Sequence, residues 1–79
     1  MNKYTPLEEF LKRQTGNSVV LSFAQIEEII NDKLPLSAHR WFRFWENGPG
    51  TVQSDAWHNA GFETVMVDRE NEKVKFQQI

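Results

Sequence analysis

Proline and glycine divide this chain into short segments, and that division limits its fold more than any other feature. A regular helix cannot run through Pro35 or through the Gly48-Pro49-Gly50 turn, because proline has no backbone N–H to donate. Pro6 fits the first turn of a helix. The 79 residues contain no repeat, low-complexity tract or linker, so we expect short helices within one domain, residues 1–79.

Capping residues predict the first two helices. Thr5 at the cap predicts a helix over about residues 6–14. Ser22, with Gln25 at the capping-box position, predicts a second helix that ends at Asn31, because asparagine accepts the left-handed conformation that closes a helix. Both helices carry apolar residues at the spacing of one helical face, so both are expected to pack on the core.

The third helix is predicted from Ser37 at its cap to the glycine-proline turn, over about residues 38–46. Leu36, before the cap, is expected to pack on Trp41. One face of this helix then holds four apolar residues, Ala38, Trp41, Phe42 and Trp45. Another face holds His39, Arg40, Arg43 and Asn47, with Phe44 at the boundary between the two.

Strand signals lie on both sides of the helical region. Residues 17–21 favour an extended strand, and residues 54–60 predict a short fourth helix capped by Ser54. Apolar and polar residues then alternate over 62–67 and over 73–77, on either side of a charged turn, which predicts a β-hairpin. This order predicts an α+β, winged-helix-like domain with three to four helices, a C-terminal β-hairpin, and a short N-terminal strand that completes a small sheet.

The charge of the chain is uneven. The net charge is -2, but residues 33–45 carry three basic residues and no acidic one, and residues 22–32 carry three acidic residues and no basic one. In a winged helix the third helix lies in the major groove of double-stranded DNA and the hairpin contacts the backbone. The sequence therefore predicts a DNA-binding module. Its expected nucleic-acid contacts are His39, Arg40, Arg43, Asn47, Lys73 and Lys75.

Two other interpretations stay open at this point. Arg40 and Arg43 can equally form a solvated helix face, because exposed arginine is common on helices. The chain can also be a protein-interaction module of a phage or mobile element that acts on a host factor, through Phe44 or through the acidic pair Glu27 and Glu28. The aromatic residues expected to fill the core are Trp41, Trp45 and Trp57.

Catalysis is not expected from these residues. The chain has no cysteine, and neither His39 nor His58 has a partner at the spacing of a zinc or acid–base site. The serines that head the helices have capping positions, so we expect no enzyme activity, catalytic residue, metal or cofactor. No apolar stretch is long enough for a membrane span, and a cytoplasmic protein is expected. A homodimer would combine two modest basic surfaces into useful DNA affinity.

Six short motifs are spread along the chain. They are Lys3-Tyr4 with Pro6-Leu7 and Phe10-Leu11, Phe23 with Ile26-Glu27 and Ile29, Leu34-Pro35 with Ser37-Ala38, Phe44-Trp45 with Asn47, Ala56-Trp57 with Ala60-Gly61-Phe62, and Val74 with Phe76. Together they resemble a family of small bacterial and phage domains of unknown function, over nearly the whole chain.

The resemblance implies an association with mobile elements and with restriction or nuclease modules, but it implies no activity. Three positions depart from the family pattern. Asn31 stands in place of a glycine, Phe44 in place of a tryptophan, and Gln77-Gln78 in place of a terminal arginine. The missing arginine weakens the case for a DNA contact by the last strand.

Overall fold

The computed structural model describes residues 1–79, which form four α-helices, one 3-10 helix and three strands. In chain order the elements are α1 (Thr5–Lys12), β1 (Ser18–Ser22), α2 (Phe23–Ile30), α3 (Leu36–Arg40), the 3-10 helix (Phe42–Trp45), α4 (Val52–Asn59), β2 (Phe62–Asp68) and β3 (Lys73–Gln78). The strands form one antiparallel sheet in the order β1-β3-β2. The predicted α+β fold is confirmed, and the element order is consistent with a winged-helix-like domain.

The sheet brings the N-terminal strand beside the C-terminal hairpin. β1 pairs with β3, where Val19 stands opposite Phe76, and β3 pairs with β2. Phe76 is fully buried and Val19 packs on the core, so this face of the sheet covers the helices. The other face carries Lys75 between Val20 and Met66, which are both exposed. Successive residues of a strand point to opposite faces, and the outer face of the sheet is therefore open to solvent.

Helix α2 begins and ends as the sequence predicts. The Ser22 hydroxyl accepts a hydrogen bond from the backbone N–H of Gln25 at 3.0 Å, and the Gln25 side-chain oxygen accepts one from the backbone N–H of Ser22 at 2.8 Å. Asn31 follows the helix in the left-handed region, with φ 54° and ψ 44°. The capping box and the asparagine stop are both confirmed.

The caps predicted for α1, α3 and α4 are wrong, and α3 begins before its predicted cap and has no side-chain cap. Thr5 is the first residue of α1 and Tyr4 occupies the cap position, because the Thr5 hydroxyl accepts from a backbone N–H upstream of the helix. Helix α4 is capped by Thr51, whose hydroxyl oxygen accepts from the backbone N–H of Ser54 at 3.3 Å. Ser54 is fully buried, and its hydroxyl donates to the Gly48 carbonyl at 2.8 Å. Ser54 therefore holds the preceding turn from inside the helix.

The third helix is much shorter than predicted. α3 ends at Arg40, Trp41 adopts extended backbone angles (φ -132°, ψ 133°), and the 3-10 helix follows. The Trp45 indole N–H donates to the Ala38 carbonyl at 2.9 Å, whereas in a continuous helix that carbonyl would accept from the N–H four residues later. The break allows Phe44 and Trp45 to be buried in T-shaped contact, with ring centroids 4.8 Å apart. Tertiary packing therefore overrides the helical pattern.

Two predictions about exposure around this break are wrong as a result. Phe44, expected as an exposed anchor, is only 9% exposed, whereas Trp41, expected in the core, is 60% exposed. Leu36 is the first residue of α3 and is also exposed, so the predicted hydrophobic staple between Leu36 and Trp41 does not form at a helix cap. The core positions predicted for Trp45 and Trp57 are confirmed.

Trp57 lies at the centre of the core and is fully buried. Its ring stacks on Trp45 with centroids 6.1 Å apart, and Trp45 in turn stacks on Phe23 at 5.1 Å. Phe76 of β3 packs on Trp57 from the sheet side, at 5.6 Å. In a chain of this size a few aromatic rings supply a large share of the buried area, and this stack joins α2, α4 and the sheet.

Gly61 links α4 to β2 with φ 83°, in the left-handed region. A Cβ at this position would meet nothing within 4 Å, so the cost of a side chain is conformational only. We expect Gly61→Ala to lower the free energy of unfolding by about 1–2 kcal/mol in urea denaturation. Gly48→Ala is the matched control, because its Cβ also meets nothing and its φ is not positive. Equal losses in the two variants would contradict this reasoning.

Candidate nucleic-acid interface

An exposed aromatic surface lies where α3 meets the 3-10 helix. Trp41 and Phe42, neighbours in the chain, are 60% and 54% exposed. With Arg43 and Glu46 they line an open groove of about 500 Å³. Adjacent large apolar side chains left open to solvent mark a binding surface. The junction surface is defined here as Arg40, Trp41, Phe42, Arg43, Glu46 and Arg69.

Arg69 connects the hairpin to the junction surface. Its guanidinium carbon lies 4.2 Å from the centroid of the Phe42 ring, within the range of a cation–π interaction. One of its terminal nitrogens donates to the backbone carbonyl of Arg40. Its Nε is buried and has no hydrogen-bond partner. Arg69 therefore joins the turn of the hairpin to the end of α3 and covers one face of the Phe42 ring.

The turn that carries Arg69 is held by its own hydrogen bonds. The Asn71 side-chain amide donates to one carboxylate oxygen of Asp68 at 2.9 Å, and the Asn71 backbone N–H donates to the other at 3.0 Å. These bonds, with the side-chain bond as the largest cause, lower the pKa of Asp68 below its ordinary value. The carboxylate is therefore ionised at neutral pH and continues to hold the turn.

The arginines of the junction surface carry charge that no ion pair neutralises. The ion pairs of this protein are Lys3 with Asp32, Lys12 with Glu8, and His39 with Glu72. Arg40, Arg43 and Arg69 are in none of them. With Glu46 as its one carboxylate, the junction surface has a formal charge of +2, although the net charge of the chain is -2 and the hairpin turn around Arg69 is acidic.

His39 lies between α3 and the hairpin. Its Nδ1 is 2.9 Å from the Glu72 carboxylate, and its ring packs edge-on against Phe23 with centroids 5.2 Å apart. Glu72 itself adopts the left-handed conformation, with φ 55°. His39 is half-buried, so the structure places it in a contact between two elements rather than among the outward-facing groups.

The side chain of Asn47 is hydrogen-bonded to other parts of the protein, although the residue itself is exposed. Its carbonyl oxygen accepts from the Trp57 indole N–H at 3.0 Å and from the Thr64 backbone N–H at 2.9 Å. Its amide nitrogen donates to the Thr64 carbonyl at 2.8 Å. A base or phosphate contact by Asn47, as the sequence predicts, would have to use its second amide hydrogen, because the oxygen and the other N–H tie the loop after the 3-10 helix to α4 and β2.

Lys73 and Lys75 project from the outer face of the sheet. They alternate along β3 with the buried residues Val74 and Phe76, which face the helices. The structure therefore leaves the two lysines on the opposite side of the sheet from the packed helices, on a different element from Arg40 and Arg43.

Sequence reasoning missed Trp41, Phe42 and Arg69 as members of this surface. One signal was present, because residues 41–45 include four aromatic residues among five, more than a short helix can bury on one face. No feature of the sequence around Arg69 indicated that it belongs to this surface. It lies in a charged turn, and its position depends on how the hairpin packs against α3.

The second histidine lies apart from the junction surface. His58 packs edge-on against Trp57 with ring centroids 6.4 Å apart. No group of three or more histidine, cysteine, aspartate or glutamate side chains is placed to hold a metal ion. None of the helices combines the length and apolar character that a membrane crossing requires.

The fold and this surface together define a small α+β, winged-helix-like domain with an exposed patch of arginine and aromatic side chains. The chain belongs to a family described as a domain of unknown function, DUF7662, whose model matches residues 4–79. No curated protein and no solved structure matches the chain. The predicted resemblance to a family of unknown function is confirmed at that level.

Proposed function

We propose that this protein is a non-enzymatic DNA-binding module that contacts DNA through the junction surface. The observation that carries the proposal is a pair of exposed aromatic rings with Arg43 in the same groove and Arg69 on the Phe42 ring. Arg40 precedes these rings in the chain, and none of the three arginines is in an ion pair. Arginine is suited to this role because its planar guanidinium can donate two parallel hydrogen bonds to a phosphate.

The proposal keeps part of the predicted contact set. Arg40 and Arg43 are both exposed, Arg43 lines the groove and Arg40 is next to Trp41 in the chain, so they are the proposed phosphate contacts. Because the whole chain is acidic, with a net charge of -2, its affinity is expected to be modest and sensitive to salt. A homodimer would present two such surfaces and increase the affinity without any new contact within one chain.

The double variant Arg40→Ala, Arg43→Ala tests this proposal. Each phosphate contact contributes about -0.7 on a single strand and about -0.9 on a duplex to the slope of log affinity against log salt, so removal of both arginines should flatten the slope by about 1.4–1.8. The measurement is fluorescence anisotropy with a labelled duplex that carries a single-stranded overhang, between about 50 and 200 mM salt.

Arg13→Ala is the control for this experiment. Arg13 follows α1, is exposed, and makes no ion pair. It therefore has the same side chain as Arg40 and Arg43 but lies outside the junction surface. We expect its affinity and salt slope to equal those of the unmodified protein. A double variant that binds like the unmodified protein, or an Arg13 variant that loses as much as the double variant, would contradict binding by the junction surface.

A second candidate function is protein binding, and the exposure of Leu36, Trp41 and Phe42 favours it. Large apolar and aromatic side chains of this kind are the usual anchors of protein interfaces. The anchors would differ from those the sequence suggests, since Phe44 is buried and the Glu27 carboxylate accepts from the Leu34 backbone N–H at 2.8 Å.

A charge reversal on the acidic face of α2 tests protein binding separately from DNA binding. Glu28 is exposed and its side chain makes no hydrogen bond or ion pair, so we expect Glu28→Lys to reverse a charge without disturbing the fold. A protein partner that uses this face should be lost in a pull-down with that variant while DNA affinity stays negligible. A pull-down unchanged by both Glu28→Lys and Trp41→Ala would count against a protein partner at these surfaces.

A further inference from the structure

We propose that the DNA strand at the junction surface is unpaired, and that Trp41 stacks on its bases while the arginines hold its phosphates. This inference rests on the proposed DNA-binding function and specifies its ligand as single-stranded DNA. Stacking on aromatic side chains is the main sequence-independent way in which proteins hold unpaired bases, because every base has a flat apolar face.

The break after α3 makes Trp41 suitable for stacking. The backbone at Trp41 is extended rather than helical, and the residue is 60% exposed. Its ring takes no part in the aromatic stack of the core, which uses Trp45 and Trp57. A tryptophan whose ring is left open beside a groove offers a large flat apolar surface to a ligand with the same shape.

Phe42 also offers an exposed aromatic ring beside the groove, and contacts with Arg69 hold that ring in place. The guanidinium of Arg69 covers one face of its ring at 4.2 Å, and the residue is still 54% exposed. Because Arg69 also bonds the carbonyl of Arg40, the ring, the hairpin and the end of α3 are linked before any ligand arrives. Such preorganisation lowers the entropy that is lost when a ligand binds.

The charges around the groove indicate how a strand would lie. Arg43 and Glu46 both line the groove with Trp41 and Phe42. A phosphate is attracted to the arginine and repelled by the carboxylate, so the backbone of the strand is expected to run past Arg40, Arg43 and Arg69. The bases then face Trp41, next to Glu46, which has no positive side chain paired with it.

An intact duplex fits these residues less well. α3 has five residues, which makes it about 7.5 Å long, too short to place several side chains along a major groove. The polar side chains that could read base edges, His39 and Asn47, are engaged with Glu72 and Thr64. In a duplex the flat faces of the bases are stacked on each other, so Trp41 would have nothing to stack on.

The test compares three labelled probes of equal length by fluorescence anisotropy at about 50 mM salt. They are an oligothymidylate, the same strand with abasic sites in place of every base, and a mixed-sequence duplex. We expect the oligothymidylate to bind about 10-fold or more tightly than the abasic strand, since the two share their phosphates and differ in their bases. We also expect it to bind more tightly than the duplex.

Variants of exposed side chains complete the test. Trp41→Ala should weaken oligothymidylate binding by about 5-fold to 150-fold and leave abasic binding nearly unchanged, whereas Trp41→Phe should retain most of the affinity. Leu36→Ala is the matched control, because Leu36 is exposed to the same 60% but is aliphatic. Its affinity for the oligothymidylate should not change.

The outcomes separate this inference from the proposed function. Equal binding of the thymidylate and abasic strands, tighter binding of the duplex, or equal losses in the Trp41 and Leu36 alanine variants would overturn the stacking of unpaired bases while DNA binding stands. Failure of all three probes to bind would overturn DNA binding as well.

Discussion

Trp57→Ala is expected to leave the protein unfolded at room temperature. Trp57 is fully buried and stacks on Trp45 and packs on Phe76 at centroid distances of 6.1 and 5.6 Å. Replacement of a buried tryptophan by alanine costs about 3–5 kcal/mol, which is about the whole stability that a core of this size supplies. Loss of the indole N–H also leaves the Asn47 side-chain oxygen with one donor fewer. The measurement is urea denaturation followed by far-ultraviolet circular dichroism.

The same chain provides the control for this prediction. Trp41→Ala removes the same side chain from a position that is 60% exposed, and its stability should stay within about 0.5 kcal/mol of the unmodified protein. If Trp41→Ala destabilises the protein as much as Trp57→Ala does, Trp41 is part of the core and the junction surface is not a free surface.

Asn47→Ala is the second large effect, with an expected loss of about 3 kcal/mol in the free energy of unfolding. The substitution removes the acceptor for the Trp57 indole N–H and for the Thr64 backbone N–H, and the donor to the Thr64 carbonyl. Each buried polar group left without a partner costs about 1–3 kcal/mol, and water can reach part of this loop. Equilibrium unfolding in urea measures the loss.

Gln53→Ala is the matched amide control for Asn47. The Gln53 side chain makes a single hydrogen bond, to the Phe44 carbonyl at 3.1 Å, so its removal should cost about 1 kcal/mol. A stable Asn47→Ala variant that binds DNA more weakly than the unmodified protein would return Asn47 to the ligand contacts and contradict its structural role.

Local signals of the sequence were sufficient wherever neighbouring residues alone determine the structure. The capping box of Ser22 with Gln25 and the left-handed Asn31 require only the chain around them, and both are confirmed. The hairpin likewise follows from alternation and a charged turn, and its two strands are present. Membership of a family of unknown function was also predicted from the sequence, and a family model matches residues 4–79.

The break at Trp41 could not be predicted locally, because its cause is tertiary. The helical period alone groups Trp41 with Trp45, but the bond from the Trp45 indole to the Ala38 carbonyl and the burial of Phe44 require the core to exist first. The internal hydrogen bonds of Asn47 could not be predicted locally for a related reason. Its side chain reaches across to Thr64, which is distant in sequence.

The candidate site was predictable in its charge and not in its shape. Residues 33–45 contain basic residues and no acidic residue, and this composition alone identifies Arg40 and Arg43. Arg69 joins them only because the hairpin turn packs against α3, and the same packing places Arg69 on one face of the Phe42 ring. The cytoplasmic location and the association with mobile elements stay predictions.

The most direct test of the central claim is an NMR amide-shift titration of the isotope-labelled protein with the overhang duplex at about 50 and 200 mM salt. Binding by the junction surface predicts shifts that cluster on residues 40–46 and on Arg69 and that fade at the higher salt, while the amides of α1 and of the outer-face lysines Lys73 and Lys75 stay in place. Shifts confined to those lysines, or no shifts at either salt, would contradict the account.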